Sequence, residues 1–186
     1  LMDYLGEQNF DKAMHAYYEE YKFKHPNPND LIKSLSNNTG RDLSRFNYHL
    51  IQTNDKVDFK IKRLTHPSDS TYTLRIKNKT GVLLPINVYA FKDDKVVKVI
   101  WMDAFEQSRN ITIMAKDIDY FKLDGADKLP DLDRKNNRIK TKGLFKKAKP
   151  LDLNFLTRFE DPAKTSINYL PIAGGNFYNG ALLGLA

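Results

Sequence analysis

The chain has 186 residues, 41% of them hydrophobic, and 30 Lys and Arg against 23 Asp and Glu give it a net charge of +7. That is enough apolar material for one large domain or two small ones, and the positive balance favours anionic surfaces without naming one. Cysteine is absent, which excludes disulfides and thiolate chemistry, and no apolar run reaches the ~18 residues of a membrane-spanning helix.

The first third reads as helical. Phe10, Met14, Tyr17 and Tyr21 recur at helical spacing, with Asn9 as the expected N-cap and Asp11 in the first turn, so this stripe is expected to face a core. Pro26 lacks an N–H and pushes His25 out of the α region, which predicts a helix end at about Lys24. Asn27 as N-cap, Pro28 at the first helical position and Asp30 in the first turn then open a second helix. It is expected to run to about Asn37, presenting Leu31, Ile32 and Leu35, with Asn38-Thr39-Gly40 as its stop. A third helix is predicted from Asp42 to Gln52, carrying Leu43, Phe46, Leu50 and Ile51. Short connections make these a small packed unit.

At Val57 the period changes from helical to alternating. Val57, Phe59 and Ile61 alternate with charged residues, and after an expected turn at His66-Pro67-Ser68-Asp69 so do Tyr72, Leu74 and Ile76. Further strands are predicted at Pro85 to Lys92, Val96 to Trp101, Asn110 to Ala115 and Ile118 to Leu123. Six strands at a spacing of roughly ten residues predict an all-β sandwich of immunoglobulin-like type without its cysteine pair. The expected fold class is therefore α+β in two segments, a short helical bundle followed by an antiparallel immunoglobulin-like sandwich. The expected division is 1–53 helical, 54–125 sandwich, and 126–186 a loop-rich basic segment with an apolar tail.

In that last part Arg134, Lys135, Arg138, Lys140, Lys142, Lys146, Lys147 and Lys149 form a run of eight basic residues with no acidic one. The run suits an anionic surface. It lacks the interleaved aromatics of a single-strand binder and any nucleic-acid motif, which disfavours nucleic acid, and charge runs are commonly solvated loops. The tail from Leu170 to Ala186 is uncharged, apolar and glycine-bearing. Because the chain opens on Leu1 in mid-pattern, without a signal-peptide leader, and closes on such a tail, it is expected to be a piece of a longer polypeptide.

Motifs for chemistry are weak. Asp117, Asp119, Asp124, Asp127, Asp131 and Asp133 cluster, but Lys135 stands where a calcium loop needs an oxygen ligand and no glycine follows, so turn chemistry is the better account. His15 and Glu19 share a helix face without the His-Glu-x-x-His of zinc peptidases. His25 is expected at a helix C-terminus complementing the dipole, His49 on a buried helix and His66 in a turn. No Gly-x-Ser-x-Gly elbow occurs, and Gly174, Gly175, Gly180 and Gly184 match no phosphate loop. The residues themselves therefore assign no catalytic, cofactor-binding or metal-binding position.

The stretches Leu5-Gly6-Glu7-Gln8-Asn9-Phe10-Asp11-Lys12-Ala13-Met14, Tyr17-Tyr18, Lys22-Phe23-Lys24-His25-Pro26-Asn27-Pro28-Asn29-Asp30-Leu31 and Thr39-Gly40-Arg41-Asp42-Leu43 resemble the aminopeptidase N (gluzincin) zinc metallopeptidases. The resemblance is closest to bacterial members with long C-terminal regions, and Asp127-Lys128-Leu129-Pro130-Asp131, Asn136-Asn137 and Pro171 to Gly184 extend it over most of the chain. Tyr21, where a tryptophan is usual, and Arg45-Phe46-Asn47 depart from the pattern. The resemblance implies that residues 1–53 are the last helices of a thermolysin-like catalytic domain and that a β-sandwich follows. It also implies that zinc, its ligands and the general base belong to a parent protein upstream of Leu1, and that peptide substrate is met only through that parent. A periplasmic or cell-envelope location goes with it. The expected function is a non-catalytic segment supporting the catalytic domain. The alternative is a free-standing β-sandwich module that recognises protein, glycan or an anionic surface.

Overall fold

A computed structural model describes residues 1–186 except 149, 157, 162, 163, 179 and 186. The chain begins with α1 (Met2–Leu5) and α2 (Glu7–Tyr21), broken apart by Gly6 at φ 81° and ψ 141°, a conformation that suits glycine. The break sets the helix start earlier than expected. Asn9 is therefore not the cap; its side-chain amide donates to the Leu5 carbonyl at 3.2 Å. Nor does Pro26 end the helix, because Phe23 already turns left-handed at φ 64°, which leaves His25 beyond the helix terminus. The apolar stripe is covered only in part: Ala13 is buried, whereas Phe10, Met14, Tyr17 and Tyr21 are half-buried, because α2 packs chiefly against its helical neighbours.

The start of α3 (Pro28–Thr39) follows its predicted chemistry. Asn27 Oδ1 accepts from the N–H groups of Asn29 and Asp30 at 2.9 and 3.2 Å, and Asp30 Oδ2 accepts from Asn27 N–H at 2.9 Å, a reciprocal capping box. Gly40 closes the helix in the left-handed region at φ 66°. The expected third helix divides into α4 (Ser44–Asn47) and a π-helical turn, Tyr48–Gln52. Asp42 lies outside, capping Ser44 N–H at 2.9 Å. Widening the turn rotates the side chains out of α register, so Leu43 and Phe46 are buried while Leu50 and Ile51 face solvent.

Seven strands follow: β1 (Phe59–Ser68), β2 (Thr71–Asn78), β3 (Ile86–Lys92), β4 (Lys95–Met102), β5 (Ser108–Met114), β6 (Tyr120–Leu123) and β7 (Arg138–Lys140). They form two antiparallel sheets, ordered β1-β2-β5 and β4-β3-β6-β7. The expected turn at His66 is instead strand, and the chain reverses at Asp69-Ser70. Pro67 is tolerated because β1 is an edge strand with a register shift between Thr65 and Ser68, and His66 stacks on Tyr72 at 4.2 Å.

The alternation places Phe59, Ile61, Leu74 and Ile76 at 0–1% exposure. Val88, Ala90, Phe121 and Leu123 line the inner side of the second sheet, and the rings of Tyr72 and Phe121 meet at 5.2 Å between the sheets. Leu5, Ala13, Ile32, Leu35, Leu43 and Phe46 join the same buried cluster, so helices and sheets share one core. Each fully buried Leu, Ile or Phe contributes about 1.5–3 kcal/mol before ordering costs. The fold class is α+β with mostly antiparallel sheets.

Beyond Lys140, β8 (Leu151–Phe155) pairs in parallel with β9 (Thr165–Tyr169), and β10 (Pro171–Asn176) with β11 (Gly180–Leu185) as an antiparallel hairpin. Two-stranded ribbons bury little of themselves, and Leu151, Leu153, Ile172 and Leu183 are exposed.

Candidate functional site

The helical unit is tied to the second sheet by polar and aromatic contacts. Asp3 Oδ2 accepts from Asn87 Nδ2 at 2.8 Å, and Tyr4 sits edge-on to Trp101 at 5.1 Å and tilted against Phe46 at 5.1 Å. Arg41 lies over the Tyr4 ring at 4.9 Å. From the π-turn, His49 Nε2 accepts from Leu83 N–H at 3.3 Å while its Nδ1 meets Asp55 Oδ2 at 2.7 Å. The first contact puts the proton on Nδ1, and the hydrogen bond from His49 holds the Asp55 carboxyl below its usual range. His49 is thus a half-buried bracket between the π-turn and the loop that leads into β3.

The aspartates are spread over separate duties. Asp124 accepts from Lys128 and Leu129 N–H at 3.0 and 2.7 Å, and burial pushes its carboxyl up. Asp131 is raised by burial too, and it accepts from Phe59 and Asp133 N–H at 3.0 and 2.8 Å. Asp58 is buried and pairs with Lys79, whose ammonium is held above its ordinary range by that bond, with Asp133 and Asp131 adding to it. Lys79 thus sets a positive charge beside buried Asp58 and within the field of Asp131 and Asp133. Asp117 bridges Lys92 and Lys142 at 2.8 and 2.9 Å, and these two bonds lower its carboxyl to about 2. Asp127 pairs with Lys122 at 2.5 Å. His15 and Glu19 are both exposed, and Glu19 turns to Lys22 at 2.6 Å. Among the described residues no three His, Asp or Glu side chains converge as a metal-holding group.

The structure divides the basic run. Arg134 donates to the carbonyls of Asp127 and Leu129 at 3.2 and 2.9 Å, and Arg138 stacks over Tyr120 at 3.8 Å, so both arginines serve the fold. Lys135 is half-buried. Lys140, Lys142, Lys146 and Lys147 remain exposed, and Lys149 lies outside the described residues. Sequence reasoning assigns no role to Leu144 and Phe145, which the same loop lifts into solvent. The signal for them is an apolar pair that follows Gly143 inside a lysine-rich stretch.

Among the described residues, two open apolar grooves stand out. One lies along α2, where Asp11, Met14, His15 and Tyr18 line a groove of about 560 Å³. The other is a groove of about 630 Å³ in the tail, lined by Pro171, Ile172, Ala173, Leu183 and Gly184. Comparison with the models of known protein families gives no match, and no curated protein matches the chain.

Proposed function

We propose that this chain is a non-catalytic C-terminal segment of a zinc aminopeptidase-like protein, whose helices complete the catalytic domain beneath its catalytic site and whose sheets brace it. The observation that carries this reading is the asymmetry of the helical unit. Its start is fixed to β3 and β4 through Asp3 and Tyr4, and its end to the loop before β3 through His49, while α2 leaves Tyr17, Tyr18 and Tyr21 without full cover, Tyr18 being 60% exposed. An apolar face of that kind suits a neighbouring domain. The residues that carry the resemblance to the aminopeptidase N family are concentrated in the same unit, and zinc would belong to the upstream part of the catalytic domain. A periplasmic or cell-envelope location belongs to the same proposal.

An immunoglobulin-like sandwich is the finer form of this proposal. The strand order supports it, since β1-β2-β5 against β4-β3-β6-β7 matches the two-sheet arrangement of that fold with the fourth strand moved to the second sheet. A second reading, a free-standing recognition module, is favoured by the edge strand β4, which exposes Val97, Val99 and Trp101. One experiment separates the two. Replacing Tyr17 and Tyr21 with serine in the whole encoded polypeptide should lower its melting temperature by several degrees more than in the 186-residue chain alone. Equal effects in both would favour the module.

A further inference from the structure

The loop after β7 joins an exposed apolar pair to a group of lysines. Leu144 is 96% exposed and Phe145 79% exposed, two adjacent large apolar side chains at one loop apex, whose removal from water would be favourable. Around them stand Lys140, Lys146 and Lys147, together with Lys62, whose carbonyl accepts from Lys147 Nζ at 2.6 Å. None of these four ammonium groups is in an ion pair among the described residues. The loop is also held in shape. Lys140 N–H donates to Lys146 O at 2.8 Å, and Ala148 N–H to Phe145 O at 3.0 Å. At its base Thr141 N–H donates to Asp119 O at 2.9 Å, while its hydroxyl donates to Ile118 O. Gly143, at φ 91°, supplies the left-handed step that turns the apex outward.

We propose that this loop docks on an anionic lipid bilayer, with Leu144 and Phe145 entering the boundary between headgroups and acyl chains and the surrounding lysines resting on the acidic headgroups. Charge complementarity selects the surface and the apolar pair selects lipid over a merely charged partner. A polyanion such as nucleic acid offers phosphates but no apolar layer to receive Leu144 and Phe145, whereas a bilayer interface offers both. Lys142, tied to Asp117 at 2.9 Å, stands at the flank of the loop, where it shares that carboxylate with Lys92. The inference stands on this loop alone and is independent of the proposed relation to an aminopeptidase.

The test is partitioning of the protein onto sedimented vesicles, of phosphatidylcholine alone or mixed with phosphatidylserine. Binding is expected only to the mixed vesicles, falling with added salt. The double variant Leu144→Ser, Phe145→Ser should weaken it at least ~10-fold, and each of Lys146→Ser and Lys147→Ser roughly fivefold. Circular dichroism should show all variants folded, since the changed side chains are exposed. A Phe145→Trp variant should shift its emission to the blue on the mixed vesicles. No binding to the mixed vesicles, or binding that the Leu144 and Phe145 changes leave intact, overturns the proposal. So does binding to a soluble polyanion with the same sensitivity to Leu144 and Phe145 as to the lysines.

Discussion

The backbone N–H of Phe59 donates to Oδ2 of Asp131 at 3.0 Å, closing a span of 72 positions. Phe59 is fully buried, so its N–H has no access to water, and the same carboxylate also takes Asp133 N–H at 2.8 Å through its other oxygen. One side chain thus fastens the loop before β7 to the first strand of the other sheet.

Asp131→Ala leaves both N–H groups without that acceptor. Burying such a donor unmet costs about 1–3 kcal/mol, so a total of about 2–3 kcal/mol is expected. At this chain length that corresponds to a fall in melting temperature of roughly 5–10 °C, readable by calorimetry. A change within about 1 °C would show that the contact does not hold the loop.

Asn78 is the second polar keystone. Its amide donates to the carbonyls of Val82 and Phe105 at 2.9 and 2.8 Å, and its oxygen accepts from Gly81 N–H at 2.9 Å, while the residue is 3% exposed. Asn78→Ala should cost about 2–3 kcal/mol. Denaturant unfolding checks it, and the slope should stay unchanged because the variant loses contacts and not compactness.

Asp117 gives the chain a defined acid response. Its folded carboxyl, at about 2, lies below the unfolded value of about 3.9, so its contribution is complete above the unfolded value and is lost as pH falls towards the folded one. Asp117→Asn should therefore flatten the loss of stability between about pH 4 and pH 2. Stability measured as a function of pH in both proteins tests this, and parallel curves would count against the bridge to Lys92 and Lys142.

Lys146 and Lys147 are exposed, and the hydrogen bond from Lys147 Nζ to the Lys62 carbonyl is exposed as well. Changing both to serine should move the melting temperature by no more than about 2 °C. A larger fall would make the loop structural and would undercut its use as a docking surface.

The strands are legible in the sequence because Phe59, Ile61, Leu74 and Ile76 bury every second side chain, and strict alternation is the mark of a half-buried strand. So is the capping of α3, whose signals lie within four consecutive residues. Where sequence and structure part, the causes are physical. Gly6 breaks a helix that periodicity alone would place later, and the π-turn rotates Leu50 and Ile51 out of a pattern that assumes α geometry. β7 is three residues long, too short for alternation to register. Turn chemistry accounts for many of the aspartates, but the reach of Asp131 to Phe59 depends on tertiary contact and leaves no local trace. Within the candidate surfaces, the lysines are visible in the sequence, whereas the separation of half-buried Arg134 and stacked Arg138 from exposed Lys140, Lys146 and Lys147 requires the fold.

The most direct test of the proposed role is a single comparison of zinc content and amino-acid anilide turnover in the whole encoded polypeptide and in the 186-residue chain, both prepared without chelator. The account predicts stoichiometric zinc and turnover in the whole polypeptide and neither in the chain alone. Absence of both from the whole polypeptide, or zinc and turnover in the chain that His15→Ala abolishes, would contradict it.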